Sequence, residues 1–246
     1  MKTIICLNGE KKNTVTPSKI VCIGRNYVAH AKELGNTVPT SQIIFLKPNS
    51  AISTVLTSSS QSFKVHTASN SSDNSRVSAA NTLVNGSESF FDSSDTSDIE
   101  LHHYESELCF LVQNSMISAV AFGLDLTRRD TQKKLKEKGL PWERAKVFDG
   151  AAVFSHFVPI EPSDISNLSL SLSINNRMVQ QGDVSMMLFK PTDIINEILS
   201  FVSLEDGDII MTGTPAGVGI INKGDEFNGS VQLNDKLLIE HQWIAI

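Results

Sequence analysis

Residues 101–130 constrain this chain more than any other stretch, because two apolar runs there carry three acids. Glu105 and Glu107 are separated by one residue and lead straight into Leu108 to Val112. On a strand, successive side chains point to opposite faces. His103, Glu105 and Glu107 then share one face, with Tyr104 and Ser106 on the other. A second strand-like run, Ala119 to Leu126, brings Asp125 to its end. Two carboxylates on one strand and a third on a neighbour make an all-oxygen pocket, which suits Mg²⁺, Mn²⁺ or Ca²⁺ better than zinc. Taken alone, Glu-x-Glu is more simply two solvated glutamates on an exposed strand, and both readings stay open at this point.

Composition narrows the classes. The 246 residues fit one large domain or two small ones and can bury a substantial core. A net charge of -6 argues against a nucleic-acid surface, which needs a basic face. There is no Gly-Lys-Ser/Thr phosphate loop and no zinc-finger spacing. Cys6, Cys22 and Cys109 all fall in apolar, strand-like runs and read as reduced core residues. No apolar stretch reaches the length of a membrane span, and the first residues do not read as a signal peptide. A soluble, cytoplasmic protein with neither membrane nor nucleic-acid partner is the expectation.

The pattern predicts short strands at residues 3–7, Lys19 to Gly24, Ile43 to Leu46 and Ile209 to Met211. A half-buried strand at Leu168 to Ile174 is followed by an Asn175-Asn176 hairpin turn. Helices are predicted at Val28 to Leu34, stopped by Gly35, and at Thr131 to Lys138, stopped by Gly139. The second is lysine-rich, and its charges read as a solvated face. Pro191 to Val202 is amphipathic, with apolar residues at Ile194, Ile195, Ile198, Leu199 and Val202. Residues 49–98 are serine-rich without sustained period. They read as a long insertion or irregular segment, with Thr54 to Leu56 and Phe63 to Val65 as candidate strand fragments. The expectation is one mainly β domain over residues 1–246, with peripheral helices.

Two smaller constellations carry chemistry. His30 and Glu33 share a face of the first helix. A carboxylate can orient an imidazole for general-base work, although an ordinary i, i+3 pair explains the spacing as well. Thr212 to Gly219 is a glycine-rich loop without the dinucleotide spacing, and by local physics it is first a tight structural turn. Arg25, Lys47 and Lys146 sit at or near predicted strand ends, where they could receive an acidic substrate or simply be solvated.

These pieces occur together in one order. Lys19-Ile-Val-Cys-Ile-Gly-Arg-Asn-Tyr27, Phe45-Leu-Lys-Pro48, His103-Tyr-Glu-Ser-Glu-Leu108, Gly123-Leu-Asp-Leu-Thr-Arg-Arg-Asp130, Gly139-Leu-Pro-Trp142, Ala145-Lys-Val-Phe-Asp149 and Thr212-Gly-Thr-Pro-Ala-Gly-Val-Gly219 resemble the fumarylacetoacetate hydrolase family. The likeness is to its small acylpyruvase and fumarylpyruvate hydrolase branch. Two departures stand out: the serine-rich stretch replaces a short passage, and the link from Glu107 to Asp125 is shortened, with a helix common there missing.

The resemblance implies a mixed β roll or sandwich, an α+β fold that is mainly β, usually in a homodimer. It implies a divalent metal, Mg²⁺ or Mn²⁺ with Ca²⁺ possible in crystals, held by Glu105, Glu107 and Asp125. It makes His30, Glu33 and Lys146 catalytic, with His30 and Glu33 on a lid helix. It makes Arg25, Lys47, Gln132 and Thr214 substrate contacts, and places the Gln181-Gly182 and Met187 region at the site's border. The implied activity is hydrolysis of the carbon–carbon bond of acylpyruvate-type 2,4-dioxo acids through a metal-stabilised pyruvate enolate. Oxaloacetate decarboxylation and oxo-acid tautomerisation or isomerisation use the same enolate and are the alternatives; a non-catalytic ligand-binding relative is a further one.

Overall fold

Continuous apolar runs such as Leu108 to Val112 cannot leave one face in water, so their sheet must be covered on both sides. A computed structural model, which describes residues 1–61 and 99–246, shows this arrangement. Its largest sheet has eight strands. The order is Ile43–Pro48, Lys19–Gly24, Ile209–Met211, Ser106–Gln113, Met116–Asp125, Ala152–Phe154 and Ile52–Ser53, with Val158–Pro159 also paired to Met116–Asp125. Pairing is antiparallel except where Lys19–Gly24 meets Ile209–Met211 and where Ala152–Phe154 meets Ile52–Ser53. Along Ser106–Gln113, Leu108, Phe110 and Val112 enter one core while Cys109 and Leu111 enter another.

The larger core lies between this sheet and a four-stranded antiparallel one, Arg177–Asp183, Leu168–Ile174, Glu226–Leu233 and Lys236–Ile244. Phe122 and Trp243 stack across it at 6.0 Å. The smaller core is closed by the hairpin Ile4–Asn8/Lys11–Val15. Helix α1 is Val28–Glu33, α2 Arg129–Glu137, α3 Glu143–Lys146 and α4 Pro191–Leu199. The amphipathic pattern is met in α4, which buries Ile194, Ile195 and Ile198. Among the described residues no helix is long and apolar enough to cross a membrane. Cys22 and Cys109 are buried and Cys6 half-buried, all as free thiols.

Three expectations are corrected. The run at 101–112 is not one strand. It breaks at Glu105 into Ile99–Tyr104 and Ser106–Gln113, which belong to different sheets. His103 therefore pairs with Thr127 and Ile220, away from the two glutamates. The serine-rich segment does not begin at Asn49. Ile52–Ser53 adds an edge to the large sheet, Ser59–Gln61 pairs with Ile99–Tyr104, and Leu56 is buried in the larger core. Thr54 to Leu56 is not a strand. The Phe63 to Val65 fragment and the rest of that segment lie outside the described residues. The shortened Glu107–Asp125 link is a tight hairpin, turned at Asn114 and Ser115 with φ of 51° and 58°.

Candidate active site

The hairpin register builds the acidic centre. Glu107 stands opposite Gly123, and the Asp125 N–H donates to the Glu105 carbonyl at 2.8 Å. Glu105 and Glu107 are two residues apart, so their side chains leave the chain on one side, and Asp125 joins them across the ladder. One carboxylate oxygen from each lies within 4.8 Å of the others, and all three residues are buried.

Cations approach this trio unequally. Lys146, brought in by α3, donates to Glu105 Oε2 at 2.7 Å, Asp125 Oδ2 at 2.7 Å and Thr127 Oγ1 at 2.6 Å. Lys47 pairs with Asp125 Oδ1 at 2.8 Å and donates to the Lys146 carbonyl. Arg129, opening α2, pairs with Glu105. Glu107 instead accepts the Gly213 N–H at 2.7 Å, from the glycine-rich loop. Burial alone would raise the pKa of Glu105, but the ammonium of Lys146 and the guanidinium of Arg129 hold it well below the ordinary range. Glu107 goes the other way: burial, then Asp125, pushes it well above. Burial disfavours the Lys146 ammonium, yet Asp125 and Glu105 outweigh that and keep it charged.

This donor set fits a hard divalent cation: three oxygens at one point, one of them on a carboxylate that lacks a cation of its own. The residues that could hold such an ion are therefore Glu105, Glu107 and Asp125.

The trio opens into a cleft also lined by Arg25, His30, Phe45, Arg129, Gln132, Lys136, Trp142, Lys146 and Thr214. His30, buried on α1, faces Glu33 through Nδ1 at 3.4 Å. Both Glu33 oxygens accept the Gly217 N–H, at 3.0 and 3.2 Å. Burial lowers the His30 pKa more than Glu105 and Glu33 raise it. Gln132 accepts from Arg129 at 2.9 Å. Thr214 accepts from Gln180 Nε2 at 2.8 Å.

Most residues singled out from the sequence thus converge. Lys47, expected as a substrate contact, and Glu33, expected beside His30 on the lid helix, each have a further structural place. Lys47 is fully buried behind Asp125, and Glu33 joins α1 to the glycine-rich loop. The border expected at Gln181 is carried by Gln180, which bonds the Ser106 N–H, Thr214 and the Pro215 carbonyl, while Gly182 packs on Pro215 and Tyr27. Arg129, Lys136 and Trp142 were not singled out. The reading of α2 as only a solvated face is corrected here. Arg129, Gln132 and Lys136 recur at i, i+3 and i+7, the spacing of one helix face, and that face borders the cleft.

The mainly β fold thus holds a buried acidic centre between a short helix and a Thr-Gly-Thr-Pro loop. Residues 19–241 match the fumarylacetoacetate (FAA) hydrolase C-terminal family model, and the chain belongs to that family. It is 37% identical to the mitochondrial oxaloacetate tautomerase FMP41 of Saccharomyces cerevisiae over 90% of each chain. It is 33% identical to the oxaloacetate tautomerase YcgM of Escherichia coli, over 85% of this chain and 86% of the relative. A crystal structure from Oleispira antarctica, assigned as a fumarylacetoacetate isomerase/hydrolase, superposes over 100% of both chains with a TM-score of 0.77 and 32% identity.

Proposed function

We propose that this chain is a divalent-metal-dependent oxo-acid tautomerase that interconverts the keto and enol forms of oxaloacetate. The observation that carries the reading is the buried carboxylate trio sharing a cleft with His30. Support for the substrate comes from the tautomerases of yeast and Escherichia coli named above, which cover most of the chain. Glu105, Glu107 and Asp125 would hold Mg²⁺ or Mn²⁺, which supplies Lewis acidity toward the carboxylate and keto oxygen of a 2-oxo acid. The remaining work falls to side chains. Burial keeps the His30 imidazole neutral at pH 7. With Nδ1 turned to Glu33, Nε2 is the nitrogen left to take the C3 proton. Lys146 stays charged beside Glu105 and Asp125 and fixes both carboxylates. Gln132 and Thr214 line the cleft as substrate contacts.

A second reading, hydrolysis of an acylpyruvate, is favoured by one feature. The His30–Glu33 contact is the arrangement that activates water, which tautomerisation does not need. A homodimer in the cytoplasm belongs to the proposal as well. Light scattering tests the dimer.

The deciding assay follows the enol absorbance of oxaloacetate with Mg²⁺, alongside cleavage of acetylpyruvate. The metal-loaded protein accelerates oxaloacetate interconversion, and His30→Ala slows it by roughly 10²–10⁴-fold. A protein that leaves the enol decay at the buffer rate while cleaving acetylpyruvate would establish the second reading instead.

A further inference from the structure

Among the described residues, two cations on the cleft wall have no carboxylate paired with them. Lys47, Lys146 and Arg129 are each committed to Asp125 or Glu105. Arg25 and Lys136 are not: among the described residues neither pairs with a carboxylate. Both instead lie against Trp142, the Arg25 guanidinium carbon 6.0 Å and Lys136 Nζ 5.1 Å from the centroid of its ring. An indole face accepts a cation without neutralising it.

Arg25 bears the marks of a residue held for a ligand. Its backbone is left-handed, φ 58°, in a non-glycine residue. Its Nε is buried and has no hydrogen-bond partner among the described residues. An ordinary surface arginine would place that donor in water. Burial, then the charges of Arg25 and Arg129, depress Lys136 to about 8 against the opposing pull of Glu105, as expected where positive charge outweighs negative. The cleft is therefore bipolar. The acidic trio forms one pole, and the Trp142 pair supplies an uncompensated positive one.

We infer that Lys136, seated on Trp142 beside Arg25, selects small oxo acids carrying a second carboxylate, and so sets the site's preference for dianions over monoanions. The inference rests on the oxo-acid reading above. A ligand gripped at the trio by its 2-oxo acid head would extend its far end toward this pair. A methyl there would leave two desolvated cations unmatched, whereas a carboxylate accepts charge-assisted hydrogen bonds from both.

Malate and 2-hydroxybutanoate test this without turnover. They share a chelating head and differ in a terminal carboxylate against a methyl group. Calorimetry with the Mg²⁺-loaded protein gives their affinity ratio. Wild type prefers malate. Lys136→Met, which keeps the aliphatic stem on Trp142, cuts that ratio by roughly 10- to 100-fold. Lys136→Arg retains most of it. No preference in wild type, or an unchanged ratio in Lys136→Met, overturns the inference. Because both probes are inert, the outcome is separate from catalysis. Preference with no tautomerase activity sinks the proposed reaction and leaves the role of Lys136 standing.

Discussion

Glu107→Gln separates two consequences of the acidic trio that usually hide each other. The ligand oxygens of Glu105, Glu107 and Asp125 lie within 4.8 Å of one another. At an effective dielectric of about 20, unit charges at that separation repel by ~3 kcal/mol. Lys146 bonds Glu105 and Asp125 and offsets part of this field, but it makes no such bond to Glu107. Neutralising position 107 therefore relieves about 1–3 kcal/mol in the metal-free protein, as charge repulsion or as the cost of protonating a carboxyl held well above its ordinary range. The amide oxygen can still accept the Gly213 N–H, so the loop keeps its anchor. At about 2–4 °C per kcal/mol for a chain of this size, the metal-free variant melts about 2–12 °C above wild type. Metal reverses the order. Mg²⁺ at a hundred times its Kd stabilises wild type by ~2.7 kcal/mol, or about 5–11 °C. If losing one charged ligand weakens binding a hundredfold, the same Mg²⁺ gives the variant only ~0.4 kcal/mol. Scanning calorimetry of EDTA-stripped protein, then with Mg²⁺ restored, reads both effects. A metal-free variant that melts below wild type would refute the uncompensated charge at Glu107, and equal Mg²⁺ increments would refute the trio as the ion's ligands.

Two further outcomes bear on the frame around the site. Gly217 has φ 102°, and a Cβ there would run into the Val179 carbonyl oxygen, so Gly217→Ala costs ~2 kcal/mol of backbone strain. It lowers the melting temperature by about 4–8 °C and loosens the Gly217–Glu33 contact, seen as faster amide exchange in α1; an unchanged melt would contradict the described loop. His102 is buried among Thr57, Ser60, Arg128 and Phe148, and burial depresses its pKa from 6.5 to about 4. The fold thus favours the neutral ring, and this contribution is complete above pH 6.5 and lost as pH falls toward 4, to a ceiling of about 3 kcal/mol. Urea unfolding at pH 7 and 4.5 checks it, and His102→Gln flattens the difference; an equally steep loss in the variant assigns the acid sensitivity elsewhere.

Local pattern sufficed where one element buries one kind of surface. The alternating Leu168–Ile174 strand and the apolar face of α4 could be read directly, because period alone determines which side chains are hidden. Glu105, Glu107 and Asp125 were legible for a related reason: a hairpin brings its own strands together, so nearby sequence places all three. The break at Glu105 was not legible, since nothing local distinguishes a long strand from two strands that part into different sheets. The cations show the same division more sharply. Arg129 and Lys136 were hidden among Lys133, Lys134 and Lys138, and only the helical period, run forward and back from Gln132, separates the cleft face from its neighbours. Lys47 looked like a strand-end cation open to substrate, yet it reaches beneath Asp125, across a sheet whose order no short-range signal gives. Glu33 is the limiting case. Its spacing to His30 is local and was read as a dyad, but its second partner, Gly217, is 184 residues away. The dyad's chemistry could be proposed from one helix. Its fixed position depends on a loop from the other end of the chain, so geometry at this site is set by the least local contacts it has.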